Sequence, residues 1–112
     1  MFQVTHEGID QVKETRIGML VHSYKLFKMK SDEFISEMFT RFTDIINNMK
    51  SLGKTYPHHE IVRNILECLP KEWKSKVTTI QELKNLKTLA LDDLMGSLIT
   101  YEMELKEEEE KE

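Results

Sequence analysis

Three places in the sequence carry side chains with metal-binding or catalytic potential. His58 and His59 could ligate a metal, Cys68 could act as a nucleophile, and Asp92 and Asp93 could act as paired carboxylates. Adjacent histidines at a predicted helix start point in different directions, and no Cys or further His stands at the spacing of a zinc site. We therefore expect no metal site and no cofactor.

The nucleophile and the paired carboxylates are equally poorly supported. Cys68 would need a His to take its proton, whereas its neighbours Ile65 and Leu66 predict a small buried side chain. Asp92 and Asp93 lie in the first turn of a predicted helix, where negative charge stabilises the free N–H groups. The sequence contains no phosphate-binding Gly loop, no GxSxG and no HExxH. It therefore predicts a protein that is not an enzyme.

The elements that position these residues are predicted to be helices. Apolar residues recur at spacings of three and four along most of the chain, and only 4 Gly and 2 Pro interrupt it. Gly53 stands where a left-handed cap would end one helix, and Pro70 stops another because proline cannot continue the hydrogen-bond ladder. The expected fold is all-α, a small bundle of about five helices. The segments are a lead-in 1–8, a helix 9–29, a second helix from Ser31 and Asp32 to Gly53, a third 57–69, a short fourth 71–80, an ambiguous linker 81–90, a fifth 91–106 and an acidic tail 107–112.

Composition and charge limit the classes of function. A chain of 112 residues favours one domain with a modest core. Its net charge is −4, to which residues 102–112 contribute −5, so the nearly neutral remainder offers no basic stripe for nucleic acid. No apolar run is long enough to span a bilayer, no signal peptide is evident, and a single Cys cannot form an internal disulfide. We expect a soluble, cytoplasmic protein without a membrane partner.

Two features have alternative interpretations. Trp73 follows Pro70, and such an aromatic either packs back on the preceding helix or anchors an interface. Packing is favoured, although both interpretations stay open. The run Glu107 to Glu110 forms either an acidic interaction arm or a solvated helix end, and the solvated end is favoured.

Several short strings, read together, resemble one family. They are Val12-Lys-Glu-Thr-Arg, Leu26-Phe-Lys-Met-Lys, Leu52-Gly-Lys, Ile65-Leu-Glu-Cys-Leu-Pro and Leu94-Met-Gly-Ser-Leu-Ile-Thr-Tyr-Glu. In this order and spacing, over about residues 7 to 105, they resemble the capsid region of the Gag polypeptide of copia-type long-terminal-repeat retrotransposons, which are common in plants. No single string is specific, so the resemblance depends on their joint order.

A second similarity lies within residues 32–42. The string Asp32-Glu-Phe-Ile-Ser-Glu-Met-Phe-Thr-Arg-Phe resembles the major homology region of retroviral capsid C-terminal domains. In that region an acidic residue near a helix start and an Arg-aromatic pair belong to a structural hydrogen-bond network. Glu33, Arg41 and Phe42 occupy the matching positions, while the Gln-Gly that opens the retroviral motif is missing here.

The resemblance implies a helical domain, similar to a retroviral capsid C-terminal domain, that self-associates as Gag proteins do when they build virus-like particles. It places residues 9–30 in the last helix of a capsid N-terminal domain and residues 31–106 in the C-terminal domain. The expected partner is a second copy, most simply in a symmetric homodimer. Candidate interface residues are Leu20, Tyr24, Leu66 and Trp73. Because the sequence has no CxxC of a zinc knuckle, nucleic acid is expected only indirectly, through other parts of Gag.

An alternative hypothesis is a domesticated, Gag-derived adaptor that binds a host protein through a helix-lined groove. The adaptor and the element protein would share one fold. Genomic context separates them, since a downstream knuckle, protease and polymerase frame would indicate an element.

Overall fold

The computed structural model describes the backbone of residues 6–111 and the side chains of residues 11–109. These residues form five α-helices, α1 (His6–Lys25), α2 (Ile35–Ser51), α3 (His58–Glu67), α4 (Lys74–Leu83) and α5 (Leu91–Lys111), and a 3-10 turn, Lys71–Trp73, leads directly into α4. No strand occurs among them. The all-α class is therefore confirmed. None of the helices in this part of the chain combines the length and apolar character needed to cross a bilayer.

α1 and α2 do not begin where the sequence predicts, and α1 also ends earlier than predicted. α1 already includes residues 6–8 of the predicted lead-in and ends at Lys25 rather than near Met29, while residues 1–5 of that lead-in lie outside the described residues. Ser31 and Asp32 do not begin α2, because they lie in a turn that the N–H of Glu33 closes by donating to the carbonyl of Lys30 at 3.2 Å. α2 therefore starts at residue 35.

The end of α2 agrees with the sequence prediction. Gly53 has a φ of +89°, a conformation that residues with a Cβ rarely adopt. The N–H of Gly53 donates to the carbonyl of Lys50 at 3.0 Å, and the N–H of Lys54 donates to the carbonyl of Met49 at 2.8 Å. These two bonds form a Schellman motif, which satisfies carbonyls that the helix end would otherwise leave free.

The later helices follow the predicted order with shifted ends. α3 ends before Pro70, as expected, and α4 runs three residues beyond the predicted end at residue 80. α5 starts at Leu91 as predicted but continues to Lys111, although its apolar residues stop at Leu105. Side chains 106–109 are exposed, as a solvated tail would have them, yet the backbone stays helical. Glu and Lys have high intrinsic helix propensity, which explains the extension.

The described residues belong to two compact units, and α2 contributes to both. The first unit combines α1 through Phe27 with Phe42–Thr55. Tyr24, Phe27, Phe42 and Met49 are buried there. The ring centroids of Tyr24 and Phe27 lie 5.8 and 5.1 Å from that of Phe42, the second pair edge to face. An aromatic cluster thus forms the core of this unit.

The second unit combines Lys28–Arg41 with the chain from Tyr56 onward. The start of α2, the helix α3, the region of α4 and the helix α5 all supply buried apolar side chains. These are Ile35, Met38, Phe39, Val62, Ile65, Leu66, Cys68, Trp73, Ile80, Leu94 and Leu98. The N–H of Met29 donates to the carbonyl of Cys68 at 3.0 Å, which ties the segment before α2 to the end of α3. The boundaries at residues 30 and 106 implied by the family resemblance stay predictions.

Replacing Phe42 with Ala should destabilise the fold by about 3–5 kcal/mol, because the substitution removes the ring on which Tyr24 and Phe27 pack and leaves a cavity. Urea denaturation followed by circular dichroism measures the loss. Leu83→Ala is the control, since Leu83 is 76% exposed and its loss should change the free energy of unfolding by no more than about 0.5 kcal/mol. Equal effects of both substitutions would contradict the aromatic core.

Candidate interaction surface

The start of α2 has no side-chain cap of the usual kind, because Phe34 precedes its first residue. One carboxylate of α2 itself and one of α5 accept the N–H groups at this helix start. The N–H of Phe34 donates to Glu37 Oε1 at 2.9 Å, which is one half of a capping box. The N–H of Ile35 donates to Glu102 Oε2 at 2.7 Å. Since Glu102 belongs to α5, this bond joins two helices 67 residues apart in the chain.

Glu33 and Arg41 form a bidentate ion pair beside this helix start. Arg41 donates from Nε to Glu33 Oε2 at 2.5 Å and from Nη2 to Glu33 Oε1 at 2.7 Å. The same Nη2 donates to the carbonyl of Lys28 at 2.9 Å, and Glu33 Oε1 also accepts the N–H of Lys30 at 2.9 Å. The side chain of Glu33 is only 6% exposed, against 36% for Arg41. The pair therefore fastens the segment that leads into α2 against the first turns of that helix.

The ion pair shifts the proton affinities of both partners. The hydrogen bond from Arg41 holds the pKa of Glu33 below its ordinary value, although partial burial acts in the opposite direction. The same hydrogen bond raises the pKa of Arg41. Both groups are therefore charged at neutral pH.

A surface groove of about 400 Å³ adjoins the ion pair and the helix start. Its lining combines apolar side chains with carboxylates and two lysines: Met29, Phe34, Pro70, Trp73 and Leu105; Asp32, Glu33, Glu72, Glu102, Glu108 and Glu109; Lys30 and Lys106. Phe34 is 46% exposed. The ammonium of Lys106 lies 3.4 Å from the centroid of its ring, a cation–π contact. We call this feature the acidic groove.

The family model of the gag-polypeptide of LTR copia-type matches residues 2–111. The chain belongs to this family. The resemblance carried by its short strings is thereby confirmed. No curated protein and no solved structure matches this Gag chain.

The three residues that match the major homology region have separate surroundings in this Gag chain. Glu33 and Arg41 are joined directly, whereas Phe42 packs with Tyr24 and Phe27 in the first unit. A common network of all three stays a prediction.

The sequence carries a signal for one of the two carboxylates at the helix start. The negative charge of Glu37 suits a helix start, and its position three residues after Phe34 is the spacing of a capping box. Glu102 left no local signal, since its partner lies 67 residues away.

Most candidate interface residues are buried within the Gag chain itself. Tyr24, Leu66 and Trp73 are at most 6% exposed, and Leu20 is half-buried. Trp73 is buried and meets the ring of Tyr101, a residue of α5, at 5.1 Å in an edge-to-face contact. Packing of Trp73 on α3, the preceding helix, stays a prediction. In this conformation none of the three buried side chains is presented to a partner, because each lies on the face of its element that contributes to a core.

Other large apolar side chains are exposed instead. Val12, Met19 and Leu26 form a row at intervals of seven residues along α1 and just beyond its end. Between residues 12 and 26 the charged residues are Lys13, Arg16 and Lys25 against Glu14 alone. Two copies of this row would bring like charges together, which disfavours pairing between α1 helices.

The candidate histidines and aspartates lie at two helix starts, His58 and His59 in α3 and Asp92 and Asp93 in α5. His58 donates from Nε2 to the carbonyl of Leu89 at 2.6 Å, and Asp92 and Asp93 are exposed in the first turn of α5. Across the residues that the structure describes, no group of three or more His, Cys, Asp or Glu side chains could hold a metal ion.

Cys68 is a buried thiol. Its Sγ donates to the carbonyl of Ile65 at 3.0 Å and lies 3.8 Å from the sulfur of Met38. Burial raises the pKa of Cys68 to about 12, so the nucleophilic thiolate is scarce at neutral pH.

Replacing Glu33 with Gln should cost about 1–2 kcal/mol at pH 7, because a neutral amide loses the charge-assisted bonds to Arg41. The pKa of Glu33 is lower in the folded chain than in the unfolded chain, so its stabilisation is present above the unfolded pKa of about 4.3 and is lost as pH falls through the folded value. Urea denaturation at several pH values should show the difference from wild type shrinking below about pH 4. Glu82→Gln, at an exposed site, is the control. A difference that stays constant down to pH 3 would contradict the ion pair.

Cys68 should resist modification by a water-soluble disulfide reagent at pH 8 in the folded chain and react fully in about 6 M guanidinium chloride, because unfolding exposes the sulfur. Absorbance of the released thiolate measures both rates. Rapid labelling of the folded chain would show that the thiol is accessible.

Proposed function

We propose that this chain is a structural domain of a copia-type Gag polypeptide and that its activity is association with further copies of itself. The family match over residues 2–111 carries the proposal. Gag polypeptides act as building blocks of particles, so a domain of this family needs surfaces through which copies meet. The site of this assembly would be the cytoplasm.

The distribution of apolar side chains supports this proposal. The two units have buried cores, yet among side chains 11–109 six large apolar ones remain substantially exposed: Val12, Met19, Leu26, Phe34, Leu83 and Met103. They lie on several elements, which gives copies more than one region in which to touch. A specific interface buries at least about 1,000 Å² in total, so one such residue would be only part of a contact.

A second candidate function is an adaptor that binds a host protein. The acidic groove favours this function, since it combines exposed apolar surface at Phe34 with carboxylates that could orient a basic peptide. Only the first function requires self-association, because an adaptor need not associate with itself.

Sedimentation velocity of the purified chain should show a mass that rises above the monomer's 13.3 kDa between about 10 µM and about 1 mM. The physical reason is that weak contacts between exposed apolar side chains become populated when concentration approaches the dissociation constant. Thermal melting followed by circular dichroism confirms that the sample is folded.

A folded chain that stays monomeric up to about 1 mM would exclude self-association strong enough for this role. In that case the adaptor function would become the favoured one.

A further inference from the structure

We infer that the acidic groove of one copy binds the basic end of α4 of a second copy, so that the chains associate head to tail. The inference rests on the proposed self-association and specifies its surfaces. The second surface, which we call the α4 tip, consists of Leu83, Lys84 and Lys87.

The acidic groove has negative charge that the chain itself does not neutralise. Of its carboxylates, Glu33 is paired with Arg41 and Glu102 accepts a helix N–H. The remaining four, Asp32, Glu72, Glu108 and Glu109, form no ion pair within the described part of the chain. Lys30 and Lys106 offset only part of this charge. A partner that enters the groove is therefore favoured when it is basic.

The acidic groove also has room for an apolar anchor. Phe34 is nearly half exposed, and Met29 and Leu105 beside it are half-buried. The Lys106 ammonium lies over the Phe34 ring, and 46% of this residue remains exposed to solvent. An aliphatic side chain inserted there would remove apolar area from water on both partners, at about 25 cal/mol per Å².

The α4 tip has the complementary chemistry. Leu83, at 76%, is the most exposed large apolar side chain that the structure describes. Lys84 and Lys87 follow it and are exposed. The loop between them is held by Asn85, whose Oδ1 accepts the N–H of Lys87 at 3.0 Å and whose carbonyl accepts the N–H of Leu89 at 3.0 Å. A held loop loses little conformational entropy on binding.

The contact has to form between two copies. Trp73 lines the acidic groove and directly precedes α4, whereas Leu83 is the last residue of that helix. Ten residues of helix correspond to roughly 15 Å, so one chain cannot fold its own α4 tip into its own groove.

Contact between two different surfaces has a consequence for the assembly. After two copies pair, one copy keeps a free tip and the other keeps a free groove, so further copies can add at both ends. The product is an open chain or a ring, which differs from the closed symmetric dimer that one self-complementary patch would give.

Charge reversal on each surface tests the inference. The groove variant is Glu108→Lys with Glu109→Lys, and the tip variant is Lys84→Glu with Lys87→Glu. Both change exposed side chains, and melting temperatures check that both fold. In sedimentation velocity at low salt, each variant alone should associate on the order of tenfold more weakly than wild type, because like charges then face each other. An equimolar mixture of the two should regain association, because each groove again meets a tip of opposite charge.

Matched controls separate this contact from general charge effects. Lys13→Glu with Lys25→Glu makes the same charge change on α1 as the tip variant makes on α4, and its association should remain at the wild-type level. Leu83→Ser should weaken association, whereas Val12→Ser, at another exposed apolar site, should not. Association of the wild type should also weaken with added salt.

The outcomes are distinguishable. If wild type associates but neither reversal weakens it, or if the mixture shows no recovery, the head-to-tail contact is wrong and the proposed self-association stands. A mass that stops at that of a dimer as concentration rises would also overturn head-to-tail association. A wild-type chain that remains monomeric would overturn the proposed function together with this inference.

Discussion

The second unit depends on how the first N–H groups of α2 are satisfied. A helix start leaves N–H groups without partners inside the helix, and a buried donor without an acceptor costs about 1–3 kcal/mol. Here no capping side chain precedes the helix, so Glu37 turns back to Phe34 and Glu102 reaches across from α5 to Ile35. Glu102 therefore stabilises the first turn of α2 from another helix, α5.

The same carboxylates determine the character of the surface. Glu33 and Glu102 stabilise the segment before α2 and its first turn, and both also line the acidic groove. Because Phe34 rather than a small polar cap precedes α2, an aromatic ring is exposed in this groove. The groove thus depends in part on how this helix start is built, and a change to Glu33 or Glu102 alters fold and surface together.

Local signals in the sequence were sufficient for part of this fold. Gly53 and Pro70 set helix ends through their own backbone properties, and Leu91 begins α5 where periodicity placed it. The predicted start of α2 was wrong by about four residues. Ser31 and Asp32 are residue types that often cap helices, whereas the actual acceptors are Glu37 and the distant Glu102. Sequence periodicity does not reveal which side chain arrives from another helix.

Apolar periodicity has a second limit, which concerns interfaces. It indicates that a face will be covered but not whether the same chain or a second copy covers it, and so Leu66 and Trp73 were candidates for both. An exposed apolar side chain such as Leu83 does not break the apolar periodicity, so the sequence gives no sign of its exposure. Which apolar side chains are exposed can be judged only from the folded structure, where the core is complete.

The proposed contact between one acidic groove and one α4 tip is weak, and a weak contact suits an assembly of many copies. Exposed ion pairs contribute about 0.2–1 kcal/mol each, and full burial of one leucine contributes about 1.5–3 kcal/mol. One groove occupied by one α4 tip therefore has little energy to offset the entropy lost on association. A copy that uses its groove and its tip at once makes two such contacts, and closure of a ring makes the last of them intramolecular. Weak pairwise contacts can then stabilise a large assembly while single mispaired copies still dissociate.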